Sequence, residues 1–571
     1  MLGPGTSAAA TILEVLEAHA CRKPQATAYR LLADGEREAE VRSFQQLAMR
    51  ARRIAGWLAA HGLRHRQVLI AIRHELNFLE ALLGCLYASC VAVPVSVPRR
   101  EAEVALVKSI ADNSCASVLL LSRCEQQLHV PLAAISSSVP AMFLEDGLGW
   151  ERAASADESL RPTATELALL QYTSGSTGAP KGVQITHDNL LQNEIAIQAA
   201  MNLGEATVFV SWLPLFHDMG LIGGALQPLF LGVTCVLLPA TAFLMKPVRW
   251  LNAIHRYRGT TSGAPNFAFD LCVNKTTPQQ RAALDLSSWT VAFNGSEPVR
   301  SSTLERFTAA FAGSGFQRRS FYPCYGMAEA TLMIAGPQAG SEPVTRKMSC
   351  ALGTAQECGV ATSEDSMVAC GRPVRGTTVV IVNPEAGEAL PERQVGEIWI
   401  SGPGVTSGYF DSSVATQAAR VADGKFTGYL RTGDLGCIID GELFVVGRLK
   451  DLVIVRGRKH HPQDLEYTAA SCSSLLAAGG GAAFAVDVEG SESLVIVHEL
   501  TRQGWLCADA EELSADIREA LIARHGIAPS QVVLIRPGSL PRTTSGKVRR
   551  AHCRQLFRDS RFELLEPASL A

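Results

Sequence analysis

Short apolar runs recur between helical stretches through the first half of the chain, and this alternation constrains the fold more than any other feature. QVLIAI (67–72), VAVPVSV (91–97), ASVLLLS (116–122), ATVFVSW (206–212), VTCVLLP (233–239) and TVAFNG (290–295) read as strands apolar on both faces. Such strands need cover above and below, which helices packed on a largely parallel sheet supply. NFLEALLGCLYA (77–88) is one such helix, and TAYRLL with REAEVRSF forms an earlier, short strand pair. The 571 residues allow three or four folding units at roughly 150 residues each. A hydrophobic share of 47% against 19% charged suits a compact enzyme and excludes a largely disordered chain.

The formal net charge is −3, and no dense Lys/Arg run with interleaved aromatics occurs, so nucleic acid is not an expected partner. The most apolar stretch, ALLGCLYASCVAVPVSVP (81–98), is broken by prolines and too short to span a bilayer as a helix. It reads as a core helix running into a buried strand. The 15 cysteines are scattered and form no C-x-x-C, and the N-terminus lacks a signal-peptide plan. Reduced, mostly buried thiols in a cytoplasm are the simplest reading, with no zinc site. His61 and His65 stand four apart, but Gly62 lies between them and argues against a metal pair.

Beyond residue 370 the pattern changes. TTVVIVNP (377–384), GEIWISGPG (396–404) and KFTGYLRTGDLGCII (425–439) are short strands divided by Gly/Pro/Asp turns, as in a small β-barrel or distorted sheet. From about Lys450 a further set of helix and strand candidates is long enough for a compact α+β unit of about 120 residues. Residues 334–369 have weak periodicity and few large apolar side chains. They read as an insertion or surface excursion rather than core. No internal repeat is visible.

Against this background YTSGSTGAPKGV (172–183) stands out. Gly175, Gly178 and Gly182 permit close backbone approach to a ligand, Thr173, Ser174, Ser176 and Thr177 bring hydroxyls, and Lys181 brings a positive charge. ELALLQ (166–171) reads as a strand before it and THDNLLQNEIAIQ (186–198) as a capped helix after it, a setting for phosphate recognition. It is not the G-x-x-x-x-G-K-[ST] loop.

Four other segments carry chemistry. NGSEPVR (294–300) places Asn294, Gly295 and Ser296 beyond a strand's carboxyl end, where open parallel sheets bind ligands. YGMAEAT (325–331) offers Tyr325 for stacking on a purine and Glu329 for holding Mg²⁺ against phosphate oxygens. RTGDLG (431–436) sets Asp434 in a Gly-flanked turn suited to ribose hydroxyls, although Gly-Asp is common in any hairpin turn. LPRTTSGKVRR (540–550) presents Lys547 on a turn near the C-terminus.

In this order the motifs resemble the adenylate-forming superfamily of acyl-CoA synthetases, peptide-synthetase adenylation domains and luciferases, over nearly the whole chain. The closest resemblance is to fatty acyl-AMP ligases, through SWLPLFHDMGLIGG (211–224), SGAPNFAFDL (262–271), NGSEPVR, YGMAEATL and RLKDLVIVRGRKHHPQDLE. One departure is Lys459, where that subfamily usually has Asn. The resemblance implies an N-terminal domain over 1–449, made of two α/β subdomains and a β-barrel-like one. It also implies a mobile α+β domain over 450–571, hinged at Lys450 and carrying the catalytic Lys547. ATP and Mg²⁺ are then expected. Residues 172–183 would hold the β- and γ-phosphates, and Asn294, Gly295, Ser296, Tyr325, Gly326, Met327, Asp434 and Arg448 the rest of the nucleotide. Glu329 with Thr173 would serve the metal. His217 would lie beside the carboxylate and α-phosphate, the alternative being a packed structural histidine. Ile222, Gly223 and Phe267 are candidates for an acyl tunnel or equally for core. The expected reaction activates a medium- or long-chain fatty acid as acyl-adenylate, then acylates the phosphopantetheine thiol of a separate holo carrier protein. The 334–369 excursion falls where these ligases carry a segment that hinders the use of CoA. An acyl-CoA synthetase and a catalytically silent ATP-binding scaffold are the alternatives.

Overall fold

The computed structural model describes residues 9–98, 101–123, 135, 139–144, 161–174, 180–351, 354–357, 366–455, 458–488, 491–542 and 547–565. The chain begins with α1 (Ile12–Arg22), the antiparallel pair β1 (Thr27–Leu31) and β2 (Glu40–Ser43), and α2 (Phe44–Ala60). The side chain of Ser43 caps α2 in a reciprocal capping box with Gln46. Phe44, Leu47, Ala48, Ala51, Ile54, Ala55 and Leu58 form the buried face that this spacing dictates. Alternation follows: β3 (Gln67–Ile70), α3 (Glu75–Tyr87), β4 (Val91–Pro94), α4 (Glu101–Asn113), β5 (Val118–Leu121) and β6 (Ala141–Phe143). The 81–98 segment is thus the expected core helix and buried strand. β7 (Leu167–Ser174) and β8 (Pro180–Thr186) come next, then α5 (His187–Ala200), capped by Thr186. β9 (Phe209–Ser211), β10 (Cys235–Leu237), β11 (Thr261–Gly263), α6 (Asn266–Lys275), β12 (Val291–Asn294), α7 (Ser301–Phe311) and β13 (Phe321–Pro323) complete the α/β part.

These strands make two sheets, ordered β6-β5-β3-β4-β7-β8 and β13-β12-β11-β9-β10-β1-β2. Both are parallel except for the edge pairs β7–β8 and β1–β2. One contiguous apolar core joins α1, α2, α3 and α5 to strands of both sheets. Under α6 and α7, Trp250, Phe269, Trp289, Phe307 and Phe321 pack mostly edge to face, an arrangement that adds about 0.5–1.5 kcal/mol per pair beyond area burial.

An antiparallel region follows. β14 (Tyr325–Gly326), β15 (Met333–Gly336), β16 (Thr345–Ala351), β17 (Thr354–Glu357), β18 (Ser366–Val368), β19 (Arg372–Pro373), β20 (Thr378–Val382), β21 (Gly396–Ser401), β22 (Leu430–Ile439) and β23 (Glu442–Arg448) form three sheets, ordered β14-β15-β19, β17-β16-β18 and β20-β21-β22-β23. The chain ends with β24 (Val453–Val455), β25 (Arg458–His460), α8 (Pro462–Ser471), β26 (Leu476–Val488), β27 (Ser491–Leu500), α9 (Ala510–His525), β28 (Gln531–Ile535) and α10 (Arg550–Arg558). Most of these pack in two apolar clusters of their own. The α/β layers, the distorted antiparallel sheet and the final α+β unit expected from the sequence are all present.

The excursion differs from expectation. Ile334 and Ala369 are core residues, and much of the segment between them is the β17-β16-β18 sheet. Met348 and Ala369 share a cluster with Leu435, Cys437 and Phe444, against which Leu449 and Leu452 also pack. Backbone pairing builds these strands, so the sparse apolar pattern did not signal them. Among the described residues all cysteines are free thiols, no His/Cys/Asp/Glu group could hold a metal alone, and no helix is long and apolar enough to cross a membrane.

Candidate active site

The carboxyl ends of the parallel strands open on a cleft of about 2790 Å³. Thr173, Lys181, His217, Gly295, Ser296, Tyr325, Gly326, Met327, Glu329, Asp434, Arg448 and Lys547 all line it, although they come from seven separate parts of the sequence. Asn294 does not. It is fully buried at the end of β12, where its Nδ2 donates to Asn266 Oδ1 at 3.2 Å, so it supports the loop from behind. Of the tunnel candidates Gly223 and Phe267 line the cleft, whereas Ile222 is fully buried in the core.

The hydroxyl-rich loop is placed differently from the strand-to-helix connection expected. Its last four residues, 180–183, open β8, which runs antiparallel to β7 with Thr173 opposite Lys181 and Ser174 opposite Pro180. β7 and β8 are therefore antiparallel neighbours, and the helix follows one strand later. Gly175, Ser176, Thr177 and Gly178 lie outside the described residues. On its free edge β8 pairs with 408–410: Gln184 N–H donates to Gly408 O at 3.0 Å, and Phe410 N–H to Gly182 O at 2.7 Å.

That edge brings in Tyr409, which sequence reasoning missed. Its hydroxyl donates to Glu329 Oε1 at 2.8 Å, and its ring lies 5.0 Å from Lys181 Nζ. Burial pushes the Glu329 carboxyl up from its ordinary range, while the Tyr409 bond and the charge of Arg448 hold it down. The only local signal was an aromatic in a Gly-Tyr-Phe run with no charged motif around it.

Asp434 also differs from expectation. It is not in a hairpin turn but within β22, which bulges between Arg431 and Leu435 opposite Trp399 and Glu397. Gly433 takes φ +71° in the bulge, a conformation that produces the turn-like local sequence. Buried Glu397 pins the bulge, accepting from Gly433 N at 3.2 Å and from Arg431. Asp434 accepts from Tyr325 Oη at 2.7 Å and Arg448 Nε at 2.9 Å. A carboxylate has about four lone-pair sites, so two bonds leave room for a diol. The Tyr325 ring is mostly buried, and its hydroxyl is committed to Asp434 rather than open to solvent.

His217 follows β9 on a loop fixed by Gln171 Nε2 donating to Phe216 O at 2.9 Å. Its own carbonyl accepts from Leu221 N at 2.7 Å, at the start of a π-helical stretch, Met219–Leu226. Such wide turns often mark functional sites. Lys547 lines the same cleft, within electrostatic reach of Arg448, Asp218, Asp434 and Glu297. Burial and Arg448 lower its pKa, while Asp218, Asp434 and Glu297 raise it. Its surface is open to the water of the cleft, so desolvation weighs less than for a packed side chain and the three carboxylates favour the cation. For Lys459 the backbone is in β25, and its side chain is outside what the structure describes. Trp212, Leu213, Pro239, Leu244, Phe267 and Leu271 are apolar members of the cleft lining.

A two-sheet α/β body, with Lys181, Arg448 and Lys547 lining a cleft at the strand ends beside Glu329 and Asp434, has the plan of an enzyme that joins nucleotides to acids. Comparison with known proteins agrees. The model of the AMP-binding enzyme family matches residues 16–410, and that of the Disco-interacting protein 2-like AMP domain matches 450–566. The chain is 38% identical over 96% of its length to the medium-chain-fatty-acid–[acyl-carrier-protein] ligase JamA of Moorena producens, covering 95% of that protein. It is 36% identical over 97% of its length to the long-chain-fatty-acid–AMP ligase FadD26 of Mycobacterium marinum, covering 98% of it. Among solved structures, the fatty acyl-adenylate ligase from L. pneumophila in complex with acyl adenylate and pyrophosphate superposes with a TM-score of 0.76 at 34% identity, over 99% of both chains. The chain belongs to the AMP-binding enzyme family and, within it, to the fatty acyl-AMP ligases. Enzymes of this family use ATP.

Proposed function

We propose that the protein condenses a medium- or long-chain fatty acid with ATP to an acyl-adenylate and then acylates the phosphopantetheine thiol of a separate holo carrier protein. The observation that carries this reading is the convergence of Lys181, Glu329, Asp434, Arg448 and Lys547 on one cleft that is also lined by apolar side chains. The relatives named as fatty-acid ligases support the substrate class, and JamA's name supports a carrier protein as acceptor.

In the first step a carboxylate oxygen attacks the α-phosphorus, the bond to the β-phosphate oxygen breaks, and pyrophosphate leaves. Lys181 and the 172–183 loop hold the β- and γ-phosphates, Asp434 the ribose hydroxyls, and Tyr325 and Gly295–Ser296 the purine side. Lys547 offsets charge gathering on the α-phosphate, and His217 orients the carboxylate. Mg²⁺ fits the donors present: half-buried Glu329 keeps a second carboxylate oxygen, Thr173 lines the same cleft, and this hard cation needs few protein ligands beside phosphates. When bound, it would neutralise phosphate charge. In the second step the thiol sulfur attacks the acyl carbon, its bond to the AMP oxygen breaks, and the thiol proton passes to solvent.

Residues 450–571 form the mobile domain in this reading. The packing of the β16–β18 sheet with Leu449 and Leu452 supports restricted motion at the junction, and hence exclusion of CoA. The free thiols support work in a reducing cytoplasm. The test is radiolabelled pyrophosphate exchange across a panel of carboxylic acids. Product analysis by mass spectrometry with excess CoA or a holo carrier protein then follows. Exchange with no acid would favour the silent scaffold, and rapid acyl-CoA formation would favour the synthetase.

A further inference from the structure

The segment that carries Lys547 is anchored on both sides by carboxylates that the adenylation scheme leaves unused. At its start, Leu540 N donates to Glu499 Oε1 at 2.7 Å, and Arg542 reaches Glu499 Oε2 at 3.6 Å. The turn is closed by an antiparallel bridge between Arg542 and Val548 and by Arg549 N donating to Pro541 O at 2.9 Å. At its end stands Arg550, the first residue of α10. Its Nε donates to Glu466 Oε1 at 2.6 Å and its Nη2 to Glu466 Oε2 at 2.7 Å, a planar two-point grip. Its Nη1 donates to Asp451 Oδ2 at 3.2 Å. Glu466, on α8, is fixed in turn by Ala483 N at 2.9 Å.

Asp451 is the point of interest. It ends the short turn Leu449–Asp451 that directly follows β23, whose last residue is Arg448, the partner of Asp434. Arg550 therefore joins two stretches: one three residues from Lys547, the other three residues from Arg448. A buried ion pair of this kind adds little net stability over apolar packing, but it defines one geometry sharply.

We propose that Arg550 is a positioning residue for adenylation, which registers Lys547 against the Asp434–Arg448 wall by gripping Glu466 and Asp451 together. The proposal rests on the assignment of Lys547 to the adenylation step. Its consequence is that Arg550 acts only through Lys547. Arg550→Gln is expected to lower kcat of pyrophosphate exchange with dodecanoic acid about 10- to 100-fold, the scale of a displacement of about 1 Å in a catalytic group. The KM for ATP and for the acid should stay within about twofold, since neither is touched. Asp451→Asn, which weakens one bond of three, should cost less than Arg550→Gln and leave the thermal midpoint near that of the parent. The deciding variant is Arg550→Gln with Lys547→Ala. It should be no slower than Lys547→Ala alone, because two groups acting as one unit do not add. Multiplied losses in the double variant, or a raised KM for ATP in Arg550→Gln, would overturn the proposal while leaving Lys547 in place. Near-normal exchange by Lys547→Ala would overturn the lysine assignment itself and this proposal with it.

Discussion

Replacing Tyr409 by Phe removes one oxygen and tests how the cleft keeps its central carboxylate ionised. The hydroxyl gives Glu329 a 2.8 Å bond within a buried setting that otherwise favours the protonated acid. The Tyr409 hydroxyl is itself pushed well above its ordinary range by burial and the neighbouring carboxylate, so it remains a neutral donor at working pH. Hydrogen bonds to charged groups contribute about 1.5–3 kcal/mol, and about 1.4 kcal/mol is tenfold, so roughly a 10- to 150-fold bias toward carboxylate is lost. The sign follows. Without its donor Glu329 takes up a proton at higher pH than in the parent, so activity is lost earlier as pH falls. The acid limb of pyrophosphate exchange should therefore move to higher pH, with the deficit largest at low pH and shrinking as pH rises. The Mg²⁺ requirement should rise in parallel, since a protonated carboxyl is a poor ligand for a hard cation. The ring is retained, and with it the contact to Lys181. An acid limb and a Mg²⁺ requirement both superimposable on the parent would refute the argument.

Lys547→Ala should lower single-turnover adenylation by about 10²-fold or more with the thermal midpoint unchanged, as for loss of one oxyanion donor; near-normal turnover would show the lysine misassigned. Asp434→Ala should weaken ATP more than fatty acid, by about 1.5–3 kcal/mol for each charge-assisted bond lost, read by titration calorimetry. Equal affinity for ATP would remove Asp434 from the ribose site. Gly326→Ala places a Cβ 1.9 Å from Leu332 O, a backbone atom that cannot step aside. It should cost about 1–3 kcal/mol by overpacking, with a lower thermal midpoint and weak exchange; a fully stable, active variant would contradict this geometry.

Much of the α/β body was legible because its signals are local. Around α3 and β4 (NFLEALLGCLYA, then VAVPVSV), an apolar run of helical length and a following valine-rich run point the same way. The cleft was legible as a set of motifs, and twelve of the residues singled out for the nucleotide and the catalysis line one volume. What failed depended on distant partners. Lys181 and Gly182 lie on a strand because β7 pairs with them, and nothing in PKGV alone distinguishes that from a loop. Gly433–Asp434 looks like a turn, yet Glu397 and Trp399, far back in the chain, draw it into a sheet as a bulge. Asn294 carried the right motif but faces Asn266 instead of the cleft, a matter of side-chain direction that spacing does not encode.

The pairing of residues 408–410 with β8 has a consequence for fragments of this protein. β8 is the last strand of its sheet, and among the described residues this short stretch is what pairs along its outer side. A chain cut short of Gly408 would keep every strand of the six-stranded sheet yet bare a row of unpaired N–H and C=O groups. Bare edges of this kind recruit strands from other molecules. Such a fragment should aggregate as it is made, and low solubility there would say nothing about whether its core can fold.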